Sequence, residues 1–192
     1  MRPAWLMAAL CLALPSQALA QKEERPATPP QVSAPPEGGP APTRVRIRGE
    51  IVIGDRAPDF ELDASTGRPL RLATLRGDWV LLVFDSRKED VAAMRRVNDD
   101  LRTLGVKPVG ICDEKAYHLV SFAKRESFPY PLLADPTGEI SAVYGLFDGE
   151  RSTTGPGFVL LDREGIVRMA LLGQRFPAED VLHLVRFTTT GL

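Results

Sequence analysis

One apolar segment leads directly into a helix-like segment between positions 79 and 104, and the other elements can be placed around this change of pattern. Trp79–Phe84 is continuously apolar and rich in valine and leucine, which is typical of a strand covered on both faces. Ser86 and Glu89 then have the S-x-x-E spacing of a helix capping box. Open α/β sheets place their sites where a strand meets a helix N-terminus, so we expect the functional site at this junction. The apolar residues that follow recur at helical spacing and predict an amphipathic helix: Val91, Met94, Val97, Leu101 and Leu104.

The remaining pattern predicts further strands and helices on either side of that junction. Residues 60–63 and 69–72, separated by the turn signal Ser65-Thr66-Gly67, predict an N-terminal β-hairpin. This order of elements predicts an α/β fold in which a mixed β-sheet carries helices on both faces. The other predicted elements are an edge strand at 44–48, strands at 107–112 and 131–134, a hairpin of 158–161 with 166–171, a helix with the stripe Ala116, Leu119, Val120 and Ala123 capped by Asp113, a short helix ending at Tyr144, and a last helix opened by Pro177.

The first 43 residues differ from the rest of the chain. Residues 1–20 contain Arg2, an apolar stretch and Ala18-Leu19-Ala20, which together predict a secretory signal peptide cleaved after Ala20, with an uncleaved anchor as the alternative. Residues 21–43 contain seven prolines and few large apolar residues, which predicts a disordered linker. We therefore expect an exported protein, periplasmic or secreted, with one domain at 44–192 and no integral membrane domain.

Charge and residue types exclude several classes of function. A net charge of -1 argues against a nucleic-acid partner, because phosphates demand a strong basic excess. His118 and His183 are 65 positions apart and neither has a second histidine at metal-binding spacing, so we expect no metal, and no other cofactor. Removal of the signal peptide would take Cys11 and leave Cys112 as the single cysteine, so an intrachain disulfide cannot form.

Several short strings resemble, in the correct order, the thioredoxin-fold peroxiredoxins of the alkyl hydroperoxide reductase and thiol-specific antioxidant class. The resemblance covers about residues 50–190 and implies a three-layer thioredoxin-like fold and an antioxidant or thiol-redox setting. The strings begin with Ile53-Gly54-Asp55-Arg56-Ala57-Pro58-Asp59-Phe60-Glu61-Leu62 and continue with Gly77-Asp78 before Trp79–Phe84, Val109-Gly110-Ile111-Cys112-Asp113, Pro131-Leu132-Leu133-Ala134-Asp135-Pro136, Tyr144-Gly145, and 158–162 followed by Gly165.

The chain departs from that family at the catalytic position. These peroxiredoxins carry P-x-x-x-T-x-x-C between the central strand and its helix, and the cysteine would fall near Ser86 or Arg87, where this sequence has none. The resemblance also implies that Pro156 matches the cis-proline of thioredoxin relatives. Arg151 is a loose candidate for the family's distant arginine, although a solvated hairpin charge is the favoured interpretation.

Two functions remain open from the sequence. The first is a binding or accessory module that has lost peroxidase chemistry, with a protein or a small thiol or peroxide as its unidentified partner. The second is an atypical thiol-dependent oxidoreductase that uses Cys112. Free cysteines are often buried, and Asp113 and Glu114 disfavour a thiolate, so inert packing is the favoured role of Cys112. The sequence does not predict an oligomeric state.

Overall fold

The computed structural model of the protein describes residues 51–191. The predicted signal peptide, the predicted linker and the predicted edge strand at 44–48 lie outside the described residues. Within the described part, no helix is long and apolar enough to cross a membrane. The strands in chain order are β1 (Glu61–Asp63), β2 (Pro69–Arg71), β3 (Trp79–Phe84), β4 (Val106–Cys112), β5 (Leu132–Ala134), β6 (Phe147–Asp148), β7 (Thr153–Thr154), β8 (Gly157–Leu161) and β9 (Val167–Leu172).

The apolar strand predicted at the centre is the middle strand of a five-stranded mixed sheet with the order β5-β4-β3-β8-β9. β3 runs parallel to β4 and antiparallel to β8, β4 runs parallel to β5, and β9 is antiparallel to β8. The ends of β3, β4 and β9 therefore lie at the same edge of the sheet. β1 and β2 form the predicted N-terminal hairpin, and a bridge from Ala64 to Leu133 places it beside β5.

Helices and the N-terminal segment cover the two faces of this sheet, which gives three layers. On one face, Leu81 and Val83 of β3 pack among apolar residues of most of the helices. On the other face, Val80, Leu82 and Phe84 pack with residues of the N-terminal segment and with Tyr144. The mixed α/β architecture with helices on both faces is confirmed. The helices are α1 (Lys88–Val91), α2 (Asn98–Thr103), α3 (Ala116–Glu126), α4 (Glu139–Val143) and α5 (Ala178–Thr190).

The helix predicted after β3 is interrupted. α1 and α2 are short and are separated by a 3-10 helix, Ala92–Val97. The apolar stripe is nevertheless buried at Val91, Met94, Val97 and Leu101, because i, i+3 spacing is compatible with both types of helix. A continuous amphipathic helix was the wrong prediction, whereas the identity of the buried stripe was right.

Two predicted helix caps are also wrong. Arg87 is still in an extended conformation, so α1 begins one residue later than the Ser86 capping box requires and receives no side-chain cap. α3 begins after Lys115 without a side-chain cap, and Asp113 instead accepts hydrogen bonds from the Thr153 hydroxyl and the Thr154 amide. Asp113 thus ties the end of β4 to β7 rather than to its own helix.

Candidate functional site

A buried carboxylate follows the central strand at the predicted junction. Asp85 comes directly after β3, its amide donates to the Ile111 carbonyl at 3.2 Å, and its side chain is only 5% exposed. Arg175, in the segment between β9 and α5, reaches it from 90 positions away. The Arg175 Nε donates to Asp85 Oδ2 at 3.0 Å, and Nη2 donates to Oδ1 at 2.8 Å. Two parallel charge-assisted hydrogen bonds therefore join the end of β3 to the segment between β9 and α5.

A second carboxylate extends this pair into what we call the Asp–Arg cluster, consisting of Asp85, Arg87, Asp90 and Arg175. Arg87 Nε donates to Asp90 Oδ2 at 2.7 Å, and Arg175 Nη2 lies 3.5 Å from the same oxygen. The hydrogen bond to Asp85 raises the pKa of Arg175 above its ordinary value, so this guanidinium stays charged. The cluster holds two positive and two negative charges, and its formal charge is zero.

The two residues predicted to occupy the family's cysteine position are both in this cluster or adjacent to it, and neither has the chemistry of a nucleophile. The Ser86 hydroxyl donates to Asp85 Oδ1 at 3.4 Å, which is at the long limit of a hydrogen bond. The Asp85 carboxylate accepts two hydrogen bonds from Arg175, and among the described residues no histidine lies in hydrogen-bond contact with the Ser86 hydroxyl to activate it. Arg87 is exposed and pairs with Asp90.

Cys112 is the last residue of β4 and is fully buried. Its thiol contacts the Leu133 carbonyl at 3.9 Å, and β5, which carries Leu133, lies on the opposite side of β4 from β3. Burial raises the pKa of the thiol to about 12, with further contributions from the negative charges of Glu114 and Asp113. The thiol therefore belongs to the packed core, and no hydrogen bond joins it to the Asp–Arg cluster.

The proline that the family resemblance suggested as a cis-proline is trans, since residues 51–191 contain no cis peptide bond. Pro156 directly precedes β8, and its carbonyl accepts a hydrogen bond from the Gly173 amide at 2.9 Å. That bond extends the β8–β9 ladder by one step and holds the proline in an extended connection. The expectation of a cis bond at Pro156 is wrong.

The structure also distinguishes between the arginines. Arg151 is 81% exposed and pairs with Asp148 three residues earlier, as expected for a solvated hairpin charge. Arg175 is the arginine that reaches the junction, and the sequence interpretation missed it. A signal was present: the hairpin of β8 and β9 returns the end of β9 to the edge where β3 ends, so a charged residue shortly after β9 lies near Asp85.

A pocket of about 100 Å³ opens beside the cluster, between the α1 region and the segment that leads into α5. Its apolar wall includes Met94, Pro156, Phe158 and Phe176, and its polar side is formed by Asp85, Asp90 and Arg175. No group of three or more histidine, cysteine or carboxylate side chains in the described chain is arranged to hold a metal ion. The pocket combines apolar side chains with hydrogen-bonding groups at the junction.

Comparisons with known proteins agree with the architecture. The family model described as the AhpC/TSA family matches residues 53–170. A peroxiredoxin of Thermoplasma volcanium is 30% identical over 142 residues, which are 67% of this chain and 68% of the relative. Peroxiredoxin Bcp of Escherichia coli is 29% identical over 128 residues, covering 64% of this chain and 78% of the relative.

Solved structures show the same fold. The crystal structure of peroxidoxin BcpB from Mycobacterium tuberculosis superposes with a TM-score of 0.66 at 24% identity, covering 74% of this chain and 99% of that one. The AhpC of Enterococcus faecalis superposes with a TM-score of 0.64 at 19% identity, covering 73% of this chain and 96% of that one. The three layers are those of the thioredoxin-like fold, and the chain belongs to the AhpC/TSA family of peroxiredoxin-like proteins.

Proposed function

We propose that this protein is a peroxiredoxin-like protein without peroxidase activity, which acts as a binding or accessory module in a thiol-redox or antioxidant setting. One observation carries the proposal. The end of β3, where the family places a reactive cysteine, is occupied by the Asp85–Arg175 pair, while the thiol of Cys112 is buried in the core.

Peroxide reduction by a thiol requires an accessible thiolate. The sulfur attacks one peroxide oxygen, the O–O bond breaks, and the thiolate becomes a sulfenic acid while the other oxygen leaves as water or an alcohol. With the pKa of Cys112 raised to about 12, the ionised fraction of this thiol at about pH 7.5 would be orders of magnitude below the roughly one in ten expected for an unperturbed thiol. Burial also denies the peroxide an in-line approach.

The alternative function is an atypical oxidoreductase in which Cys112 reacts after local opening of the loop that follows β4. The nearby ammonium of Lys88 favours the thiolate. This effect is outweighed by burial and by two carboxylates, so the binding module accounts better for the geometry.

A peroxide-consumption assay tests the proposal directly. The mature protein should consume hydrogen peroxide and an alkyl hydroperoxide, with dithiothreitol as reductant, no faster than the reductant alone. The Cys112→Ser variant should give the same trace, and Escherichia coli peroxiredoxin Bcp serves as the positive control. Turnover above the background that disappears in Cys112→Ser would establish the alternative.

We also propose that the protein is exported, on the basis of residues 1–20. Mass spectrometry of the exported protein should give an N-terminus at Gln21. An exported form that retains Met1 would show that the segment serves as an anchor instead.

A further inference from the structure

The pocket beside the Asp–Arg cluster combines an apolar wall with a hydrogen-bonding side. Met94 and Phe158 are buried, and Phe176 packs against the same core. These side chains have no polar groups with which to hold water, so an apolar group placed against them is favoured over solvent. The wall therefore selects a ligand with an apolar body.

Arg175 leaves hydrogen-bond donors for a ligand. Its Nε and Nη2 bind the two carboxylates, whereas its Nη1 has no acceptor among residues 51–191. The side chain is 57% exposed, so this nitrogen is accessible to an incoming molecule. A guanidinium has no acceptor atoms, so the ligand must supply the acceptor.

The charges of the cluster determine whether an anionic or a neutral acceptor is favoured at Arg175. Asp85 and Asp90 already neutralise Arg87 and Arg175. An anion at Arg175 would lie close to two carboxylates and would give the cluster an uncompensated negative charge. A neutral acceptor forms the same hydrogen bond without this repulsion, so the cluster favours an uncharged ligand.

The size of the pocket restricts the ligand further. Pockets for drug-sized molecules have volumes of about 300 to 1,000 Å³, whereas this pocket has about 100 Å³. The pocket is therefore suited to a compact body of a few carbon atoms and not to a drug-sized molecule.

We propose that this pocket binds a small uncharged molecule that has a compact branched apolar body and one hydrogen-bond acceptor, with the body against Met94, Phe158 and Phe176 and the acceptor on Arg175. The inference rests on the proposed binding function and specifies its ligand class. It involves no covalent step.

Two probes of the same shape test the charge argument. 3-Methyl-2-butanone carries a neutral carbonyl, and isobutyrate places a carboxylate on the same isopropyl body. In NMR titrations of the mature protein, the ketone should shift the Met94 methyl and Phe176 amide signals in a saturable way. Isobutyrate should bind at least about threefold more weakly, despite the usual preference of arginine for anions. Tighter binding of isobutyrate, or no saturable shift with the ketone, would overturn the proposal.

Three variants locate the binding. Arg175→Met should weaken ketone binding by about tenfold, the effect expected for the loss of one hydrogen bond to a charged donor. Arg151→Met removes an arginine from an exposed pair elsewhere and should leave the affinity unchanged. Ala93 lines the pocket at an exposed position, so Ala93→Trp should block it without disturbing the core. Unchanged binding in Ala93→Trp would place the ligand elsewhere and refute the site, even if Arg175→Met failed to fold.

The two proposals fail separately. If the ketone does not bind and peroxide turnover is absent, only the proposed ligand class is refuted and the proposed function stands. Peroxide turnover that depends on Cys112 would remove the proposed function whatever the ketone does.

Discussion

The Asp85–Arg175 pair makes a quantitative prediction about stability. Arg175→Ala leaves the Asp85 carboxylate, which is 5% exposed, without the two hydrogen bonds that offset its desolvation. Breaking a fully buried ion pair costs about 3 to 5 kcal/mol, and hydrogen bonds to charged groups contribute about 1.5 to 3 kcal/mol. Arg175 is half exposed and water can replace part of its role, so we expect a loss of about 2 kcal/mol.

Arg151→Ala is the matched control. Arg151 also pairs with an aspartate, Asp148, but it is far more exposed than Arg175. Exposed ion pairs contribute about 0 to 1 kcal/mol. Urea unfolding should therefore separate the two variants by more than about 1 kcal/mol at similar denaturant dependence, and the melting temperature of Arg175→Ala should fall by about 6 °C.

A second substitution tests the physical cause. If the cost arises from an uncompensated buried charge, then Asp85→Asn in the Arg175→Ala background should recover about half of the lost stability. Equal stabilities of Arg175→Ala and Arg151→Ala, or no recovery in the double variant, would show that Arg175 does not stabilise a buried carboxylate.

Three further predictions follow from the core. The pKa of Cys112 is higher in the folded protein than in the unfolded chain, so the folded state retains the thiol proton to higher pH. The contribution of this thiol to stability is therefore complete below about pH 8 and is lost as the pH rises towards 12. This thiol alone should lower the unfolding free energy by about 1 kcal/mol from pH 9 to pH 10, because the unfolded thiol is already partly ionised at pH 9, and Cys112→Ala should lack this contribution in chemical denaturation. Gly110→Ala would push a methyl group into Val91 and Leu132, and should cost about 1 to 3 kcal/mol by urea titration; an unchanged unfolding free energy would show that this close packing is not restrictive. Tyr130→Phe removes the hydroxyl that donates to the Val91 carbonyl at 2.7 Å and should cost about 1 kcal/mol, with a neutral effect in calorimetry counting against this bond.

The sheet could be predicted from the sequence because its signals are local. The uninterrupted apolar residues of Trp79–Phe84 leave no solvent-facing side, and this stretch forms the central strand with the predicted boundaries. The hairpin of β1 and β2 was predicted from two short strands around a turn, and Gly67 adopts the positive φ that this turn needs. In both cases adjacent residues contain the information.

The details of the junction could not be predicted in the same way. The i, i+3 stripe from Val91 fits both an α-helix and a 3-10 helix, so the apolar pattern does not indicate the 3-10 helix at Ala92–Val97. The side-chain partner of Asp85 lies 90 positions away and is brought close only by the return of β9. Ser86 matched a local motif, but the extended backbone at Arg87 shifted the helix start past it. Of these three details, the Asp85–Arg175 pair is a contact between residues that are distant in sequence, which a local pattern does not contain.

The central claim is that Cys112, the cysteine of the described residues, is not poised for reaction with peroxide. It is tested most directly by adding stoichiometric hydrogen peroxide to the mature protein at neutral pH in the presence of dimedone and following the intact mass. We predict that the dimedone adduct on Cys112 forms more slowly than on free glutathione, and that it reaches the free-thiol rate only after unfolding in urea, because the native thiol is buried with its pKa near 12. A sulfenic acid trapped on Cys112 of the native protein at a rate well above that of the free thiol would contradict the account.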